Sequence, residues 1–360
     1  MIHVAVDANC LAWGWGGIPK VVDRVVREWA RRGDVKVDLL ANARGPFVDI
    51  PGVGQAGRRL RGAPHWRERF VAPWLARHRP SVFWAPEGVV PFRTPVPAVV
   101  SIHDLAALMF PGVKPLRQTL SHRTAARRSA RRATRVIAVS RTTAADAARL
   151  FGVEAGRLRV VPNGVDDAFS PGDRPAALAA VRERFGLERA YVLAVGSLEP
   201  RKGLDVVLDV AEAIEGTDVV LAGSPSFRSR ALLERAAALP ACRLLGPVDD
   251  AHLPDLYRAA DALLAPSLYE GFGLTPLEAM ACGTPAVIAG GSGGLEELSG
   301  PASIVVPERT AAAWLRGVET ARARREELAA AGIHHAASFR WPAVAEATLA
   351  VLEEAAGAAS

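Results

Sequence analysis

The sequence predicts an α/β protein built from two Rossmann-like domains, and three observations predict it. Short apolar runs alternate with amphipathic helical patterns along the chain, which implies parallel sheets with crossover helices. The rhythm restarts near residue 191, and each half carries a glycine-bearing loop after its first strand. A length of 360 residues leaves room for about two domains.

In chain order, Ile2–Val6 reads as the first strand and Trp13-Gly14-Trp15-Gly16-Gly17 as the loop after it. A helix is expected from about Pro19, since Val21, Val22, Val25, Val26 and Trp29 fall on one face. Proline suits a first helical turn because its missing N–H would be unpaired there anyway. Further strands are expected at 35–40, 82–84, 98–102, 136–139 and 159–161. The turn-rich stretch Asn163–Pro175, with Asn-Gly, Asp-Asp and two prolines, is the best linker. Strands then follow at 191–195, 219–222, 242–245, 262–265, 286–288 and 303–305, with helices between. The expected domains are residues 1–168 and 169–340. A helix within 341–360 is expected to pack back on the first domain. Ligands of open α/β sheets sit at the carboxyl ends of the strands, so the expected site is a cleft between two facing domains.

Half of the residues are apolar and 23% are charged, which excludes a disordered or collagenous chain. The net charge of +6 hides a split. Residues 1–162 hold 27 Lys and Arg against 11 Asp and Glu, whereas residues 163–360 hold 17 against 27. A basic half joined to an acidic half suggests an anionic partner for one of them. Forty of the 44 basic residues are arginine, a bias that a GC-rich genome explains. Cys10, Cys242 and Cys282 are too few and too scattered for a disulfide framework or a cysteine-based zinc site, which favours a reducing compartment. The N-terminus lacks the pattern of a secretory signal, and no run of 18 apolar residues spans a membrane.

Four segments carry candidate chemistry. In Ser267-Leu-Tyr-Glu270-Gly271-Phe272-Gly273-Leu274-Thr275-Pro276-Leu-Glu278, one reading takes the last four residues as a capping box, with Glu278 structural. Gly271 and Gly273 also allow close backbone approach, and the helix start behind them offers N–H groups to a phosphate. Glu270 and Glu278 then become acceptors for sugar or ribose hydroxyls. In Gly196-Ser197-Leu-Glu199-Pro-Arg201-Lys202-Gly203, the adjacent cations are either solvated or suited to a diphosphate leaving group. Gly16 and Gly17 form a second phosphate cradle, and Trp13 and Trp15 either stack on a sugar or fill the loop. His103 and Asp104 follow an apolar strand, so His103 is either structural or at the chemistry.

Together these segments resemble a retaining glycosyltransferase of family 4 with the GT-B fold. The Glu270–Glu278 spacing matches its E-x7-E signature. Val139-Ser140, Val160-Val-Pro-Asn-Gly-Val-Asp166, Gly196–Lys202 and Leu253-Pro-Asp-Leu-Tyr-Arg-Ala-Ala-Asp261 match the family's wording. The resemblance covers nearly the whole chain, most tightly residues 136–285. It implies that the acidic half binds a nucleotide-sugar donor and the basic half a hydroxyl acceptor. Glu270 would meet the hexose, Glu278 the ribose, and Arg201 and Lys202 the diphosphate. Backbone N–H groups of Gly16 or Gly17 and of Gly273 to Thr275 would assist, with Gly196, Ser197, Gly271, Phe272 and Leu274 lining the donor. Backbone around Val248 would meet the base, and His103 would lie against the donor sugar, with Asp104, Trp13 and Trp15 on the acceptor side. Neither cofactor nor metal is implied. The Leu-Glu-Pro-Arg-Lys wording resembles polysaccharide and O-antigen mannosyltransferases and implies GDP-mannose, with UDP- and dTDP-sugars open. The family's first glycine loop often reads Gly-Gly-Ile-Gly-Arg, whereas this chain has Gly16-Gly17-Ile18-Pro19-Lys20, so residues 18–20 are left out of the donor site.

Two other readings stay open. One is a related GT-B enzyme, a nucleotide-sugar epimerase or glycoside phosphorylase, the latter needing a pyridoxal phosphate lysine. The other is a non-catalytic module that binds membrane or nucleic acid through its basic half. Arg117, Arg123, Arg127, Arg128, Arg131, Arg132 and Arg135 run without an acid between them, and Arg128, Arg131, Arg132 and Arg135 are expected on one helical face. They form either a solvated face or a contact with anionic headgroups or a phosphorylated acceptor. Arg58 to Arg79 interleave Trp66, Phe70 and Trp74, which is compatible with an interfacial segment. The expectation is a cytoplasmic enzyme with an anionic or lipid-linked acceptor, open to contact with the inner membrane face, and without nucleic acid as partner.

Overall fold

The computed structural model describes residues 1–13, 16–44, 46–60, 65–110, 116–226 and 228–358, with backbone alone at residues 13, 116–122 and 301. Its paired strands run parallel, as the alternation of strand and helix demands. The chain forms two compact units. The first is Met1–Leu105 with Leu116–Gly164 and Arg340–Ser360, and the second is Ala106–Pro115 with Val165–Phe339.

In the first unit, strands β1 (Ile2–Asp7), β2 (Val35–Ala41), β3 (Gly54–Gly57), β4 (Val82–Ala85), β5 (Ala98–Ile102), β6 (Arg135–Ala138) and β7 (Leu158–Val160) make a sheet in the order β3-β2-β1-β4-β5-β6-β7. Runs such as Val4 to Val6 and Val82 to Trp84 are buried on both faces, so they read as continuous rather than alternating apolar stretches. The helix Gly17–Ala30 lays Val21, Val22, Val25, Val26 and Trp29 on that sheet. Each such buried aliphatic contributes about 1.5–3 kcal/mol. The C-terminal helix Trp341–Gly357 joins the same core through Val344, Leu349 and Leu352, and the Trp29 indole donates to the Ala345 carbonyl at 2.9 Å.

Two details depart from expectation. The first long helix starts at Gly17 rather than Pro19. Strand β3 was not expected at all, because Gly-Gln-Ala-Gly holds no β-branched or aromatic residue. It lies at the sheet edge against Asp38–Ala41, and the Gln55 side chain clamps the backbone of Phe47 and Val48.

In the second unit, β8 (Tyr191–Val195), β9 (Asp218–Ala222), β10 (Cys242–Gly246), β11 (Leu263–Ala265), β12 (Ala286–Ala289) and β13 (Ser303–Val306) take the order β10-β9-β8-β11-β12-β13. Both orders reverse direction once. The reversal falls between β1 and β4 in the first sheet and between β8 and β11 in the second. Open α/β sheets bind ligands outside the strand ends at that point.

Candidate active site

Two loops leave the reversal point of the second sheet. One follows β8 and tightens into a single 3-10 turn, Pro200–Lys202; the other follows β11 and runs to Glu270. The Leu268 N–H donates to the Arg201 carbonyl at 2.9 Å and ties the loops together. Gly203 makes that closeness possible, with φ +72° and an added Cβ falling 2.1 Å from the Pro266 carbonyl oxygen.

Around Glu270 the loops assemble a charged cluster. Lys202 Nζ donates to Glu270 Oε1 at 2.6 Å, and Ser267 Oγ donates to the same oxygen at 2.8 Å. Arg201 donates from Nη1 to the Tyr269 carbonyl at 2.7 Å and to Glu270 Oε2 at 3.2 Å, and from Nη2 to Glu199 Oε1 at 2.7 Å. Burial alone would push the Glu270 carboxyl up, but Lys202 and then Arg201 outweigh it and hold the group below the usual carboxylate range. The two carboxylates and two cations sum to zero. Arg201 is committed to several acceptors, while Lys202 spends only one of its three N–H donors within the described residues. Beside them lies a small pocket lined by Gly196, Ser197, Lys202, Ser267 and Thr275.

Past Glu270 the chain enters the helix Leu274–Ala281 through Gly273, whose φ is +107° and whose added Cβ would meet Leu295 at 2.6 Å. This corrects the capping-box expectation. The N-cap is Gly273, Thr275 lies inside the first turn, and no side chain caps the helix. The first-turn N–H groups are therefore without intrahelical partners. Glu278 is 5% exposed and its Oε2 accepts from the Tyr257 hydroxyl at 3.0 Å. Gly271 and Phe272 are buried, the Phe272 ring standing edge-on to Phe339. Val248 is half-buried in the loop after β10.

In the first unit, Gly16 caps the helix that starts at Gly17. His103 follows β5 and hydrogen-bonds the Pro86 carbonyl, which can only accept, so the bonded ring nitrogen carries the proton. Its Nε2 is shielded and without a partner among the described residues. Burial lowers the imidazole to about 4 against the opposing pull of Asp104 and the Pro86 carbonyl, so the ring is neutral at pH 7. Asp104 itself is exposed. Of the expected aromatic contacts, Trp15 lies outside the described residues and Trp13 is described by its backbone alone. Sequence reasoning passed over Asp7, Arg67 and Glu87, which form an ion-paired group at the ends of β1 and β4. Its only sequence signal is an acid at or just past the end of each of two apolar strands.

The basic clusters are rearranged. Arg123, Arg127, Arg131 and Arg132 are exposed on the helix Leu116–Arg132, and Arg117 lies where only backbone is described. Arg128 is turned to the Phe92 ring, 3.6 Å from its centre, and to the Val90 carbonyl. Arg135 is not on the expected helical face at all. It begins β6 and pairs with Glu354, because the helix has ended at Arg132. In the 58–79 cluster, Trp66 is buried and Arg67 is ion-paired, so these two residues form no interfacial surface; residues 61–64 lie outside the described residues. All three cysteines are free and buried. Among the described residues, no helix is long and apolar enough to cross a membrane.

Comparison with known proteins gives consistent matches. Residues 15–169 match the model for "Glycosyltransferase Family 4" and residues 180–334 that for "Glycosyl transferases group 1". The chain is similar to D-inositol 3-phosphate glycosyltransferase of Salinispora arenicola, 38% identical over 63% of this chain and 56% of that protein. It is also similar to the enzyme of that name from Mycobacterium tuberculosis, 32% identical over 79% of this chain and 59% of that one. The chain thus spans a little over half the length of these curated relatives. Among solved structures it shares its fold with sucrose-phosphate synthase from Thermosynechococcus elongatus, with a TM-score of 0.80, 21% identity and all of both chains covered. It does so too with Anabaena HepE in complex with UDP and glucose, with a TM-score of 0.76, 20% identity, and 98% and 99% of the two chains covered.

Proposed function

The chain belongs to glycosyltransferase family 4, and from that premise we propose that it transfers a hexose, with retention, from a nucleoside-diphosphate sugar to a hydroxyl acceptor. The observation that carries the proposal is the Arg201–Glu270–Lys202 cluster at the reversal point of the second sheet, beside a helix whose first turn is uncapped. In this reading Lys202 and Arg201 face the diphosphate, and the first-turn N–H groups of Leu274 and Thr275 complete its cradle. Glu270 accepts from a hexose hydroxyl, and Glu278 serves the ribose. The C1–phosphate bond breaks as the acceptor oxygen bonds C1 on the same face, and the acceptor proton passes to the departing phosphate oxygen. Neutral His103 offers the Nε2 lone pair to a hydroxyl in this scheme. Because side-chain cations meet the diphosphate, the proposal includes transfer without metal or cofactor, unaffected by EDTA.

Donor and acceptor are finer parts of the same proposal. The Leu198-Glu199-Pro200-Arg201-Lys202 wording supports GDP-mannose, whereas the UDP and glucose held by HepE support UDP-glucose. The name of the curated relatives supports a phosphorylated polyol as acceptor, and the exposed arginines 123, 127, 131 and 132 suit an anionic acceptor or membrane surface.

A thermal-shift panel of UDP, GDP, UDP-glucose and GDP-mannose tests the donor. A ligand at one hundred times its Kd stabilises the fold by about 2.7 kcal/mol, and the true pair should also release nucleotide when D-inositol 3-phosphate is added. If no nucleotide or nucleotide sugar raised the melting temperature, the transferase proposal would fall.

A further inference from the structure

The first sheet has its own reversal point, between β1 and β4, and three charged side chains meet there. Asp7 ends β1 and is fully buried; its Oδ2 accepts from Arg67 Nε at 2.6 Å and its Oδ1 from the Asn9 N–H at 3.3 Å. Arg67 Nη2 turns to Glu87 Oε2, 3.0 Å away and two residues past the end of β4. Arg67 opens the wide π-type turn Arg67–Val71, a conformation frequent at functional sites. Pro86, directly before Glu87, holds His103 through its carbonyl.

The charges decide what fits. Two carboxylates against one guanidinium leave the group one negative charge, inside the half of the chain with the large basic surplus. A phosphate or carboxylate docking there would face Asp7 and Glu87, and Arg67 is already shared between them. What the crevice offers is acceptors. Glu87 uses Oε2 for Arg67, its Oε1 has no partner among the described residues, and its side chain is about a third exposed. His103, held by the carbonyl of the preceding Pro86, likewise keeps a shielded Nε2 without a partner among the described residues. Burial, then repulsion from Asp7, pushes the Glu87 carboxyl up, which sharpens its affinity for a shared proton.

We infer that this crevice takes a neutral polyhydroxy group, with Glu87 Oε1 accepting from one of its hydroxyls and Arg67 as the positioning residue that fixes Glu87. On the proposed transferase reading, on which only its role rests, that group is the reacting end of the acceptor. A phosphate carried by the acceptor then lies away from Asp7 and Glu87.

Saturation-transfer NMR on the full chain tests this with myo-inositol, glycerol, glucose and mannose as probes, alongside UDP and GDP. The wild type should transfer saturation to at least one polyol, and Glu87→Gln should weaken that polyol at least tenfold. Nucleotide binding and the melting temperature check that the variant is folded and that the second unit is unaffected. Arg67→Lys, which keeps the charge and loses the fork, should weaken the polyol by a smaller factor. The inference is overturned if no polyol binds, or if Glu87→Gln binds it as the wild type does. Polyol binding without nucleotide binding would leave the crevice standing and remove the transferase proposal instead.

Discussion

Glu270→Gln removes one charge from the donor cluster while keeping its shape. The amide oxygen still accepts from Lys202 and Ser267, but the amide NH2 then faces Arg201 Nη1 across a distance of 3.2 Å, donor against donor. A net hydrogen bond to a charged group contributes about 1.5–3 kcal/mol. Arg201 keeps Glu199 and the Tyr269 carbonyl, and Lys202 is exposed enough to regain water, so the expected loss is about 2–3 kcal/mol at pH 7. At about 2–4 °C per kcal/mol for a unit of this size, the melting temperature should drop by about 4–12 °C. Acidity supplies the sharper test. The Glu270 carboxyl lies below its ordinary value, so its contribution is complete above the unfolded value of about 4.3 and is lost as pH falls through the folded value. Calorimetry of wild type and variant should show the full gap at pH 7 and a closing gap below pH 4. Nucleotide release should fall by about 10²–10³-fold, the scale of removing one preorganised polar contact at a transition state. A gap that stays constant with pH would refute the electrostatic argument, whatever the activity shows.

Thr275→Ala should change stability by less than about 0.5 kcal/mol, because Thr275 caps nothing, whereas Glu278→Ala should cost about 1–3 kcal/mol by stranding the buried Tyr257 hydroxyl. Urea unfolding of the two variants separates them, and equal losses of about 1 kcal/mol would restore the capping box. His103 is neutral down to about pH 4, so the pH profile of transfer should carry no inflection near 6.5 that His103→Asn removes. Its lowered folded value means that its stability contribution is complete above about 6.5 and declines as pH falls toward 4. Hydrogen–deuterium exchange of the ring C2 proton checks the value directly.

Much of the fold was legible because β-branched runs in doubly buried strands are contiguous and hard to mistake. What escaped was set at long range. The strand Gly54–Gly57 has no strand propensity and exists because β2 offers it an edge and Gln55 a clamp. Thr275-Pro276-Leu277-Glu278 is a strong local start signal, yet Gly273 starts the helix earlier, and Glu278 is claimed by Tyr257, 21 residues away. The same limit applies to the candidate site. Residue types and the spacing of Glu270 from Glu278 were visible, but not the pairing of Arg201 with Glu270 across 69 residues. Nor was the meeting of Asp7, Arg67 and Glu87, which needs the sheet order before it has any meaning.

The split in net charge gains a physical reading from these two reversal points. Summed charge acts through solvent over about a Debye length, roughly 8–10 Å, and so governs the approach of a ligand. Recognition is decided at about 3 Å by whichever groups have donors or acceptors left over. In the second unit the four charged groups cancel, and what faces an anion is the Lys202 ammonium beside Arg201 and the start of one helix, despite the acidic surplus of residues 163–360. In the first unit the surplus is basic, yet the group between β1 and β4 carries one negative charge and spare acceptors. A single acceptor satisfies both scales in that unit: anionic as a whole, so that the arginines draw it in, and neutral and hydroxylated at the end that docks. Salt separates the two contributions. Raising ionic strength should slow association of such an acceptor while leaving untouched the factor by which Glu87→Gln weakens a neutral polyol.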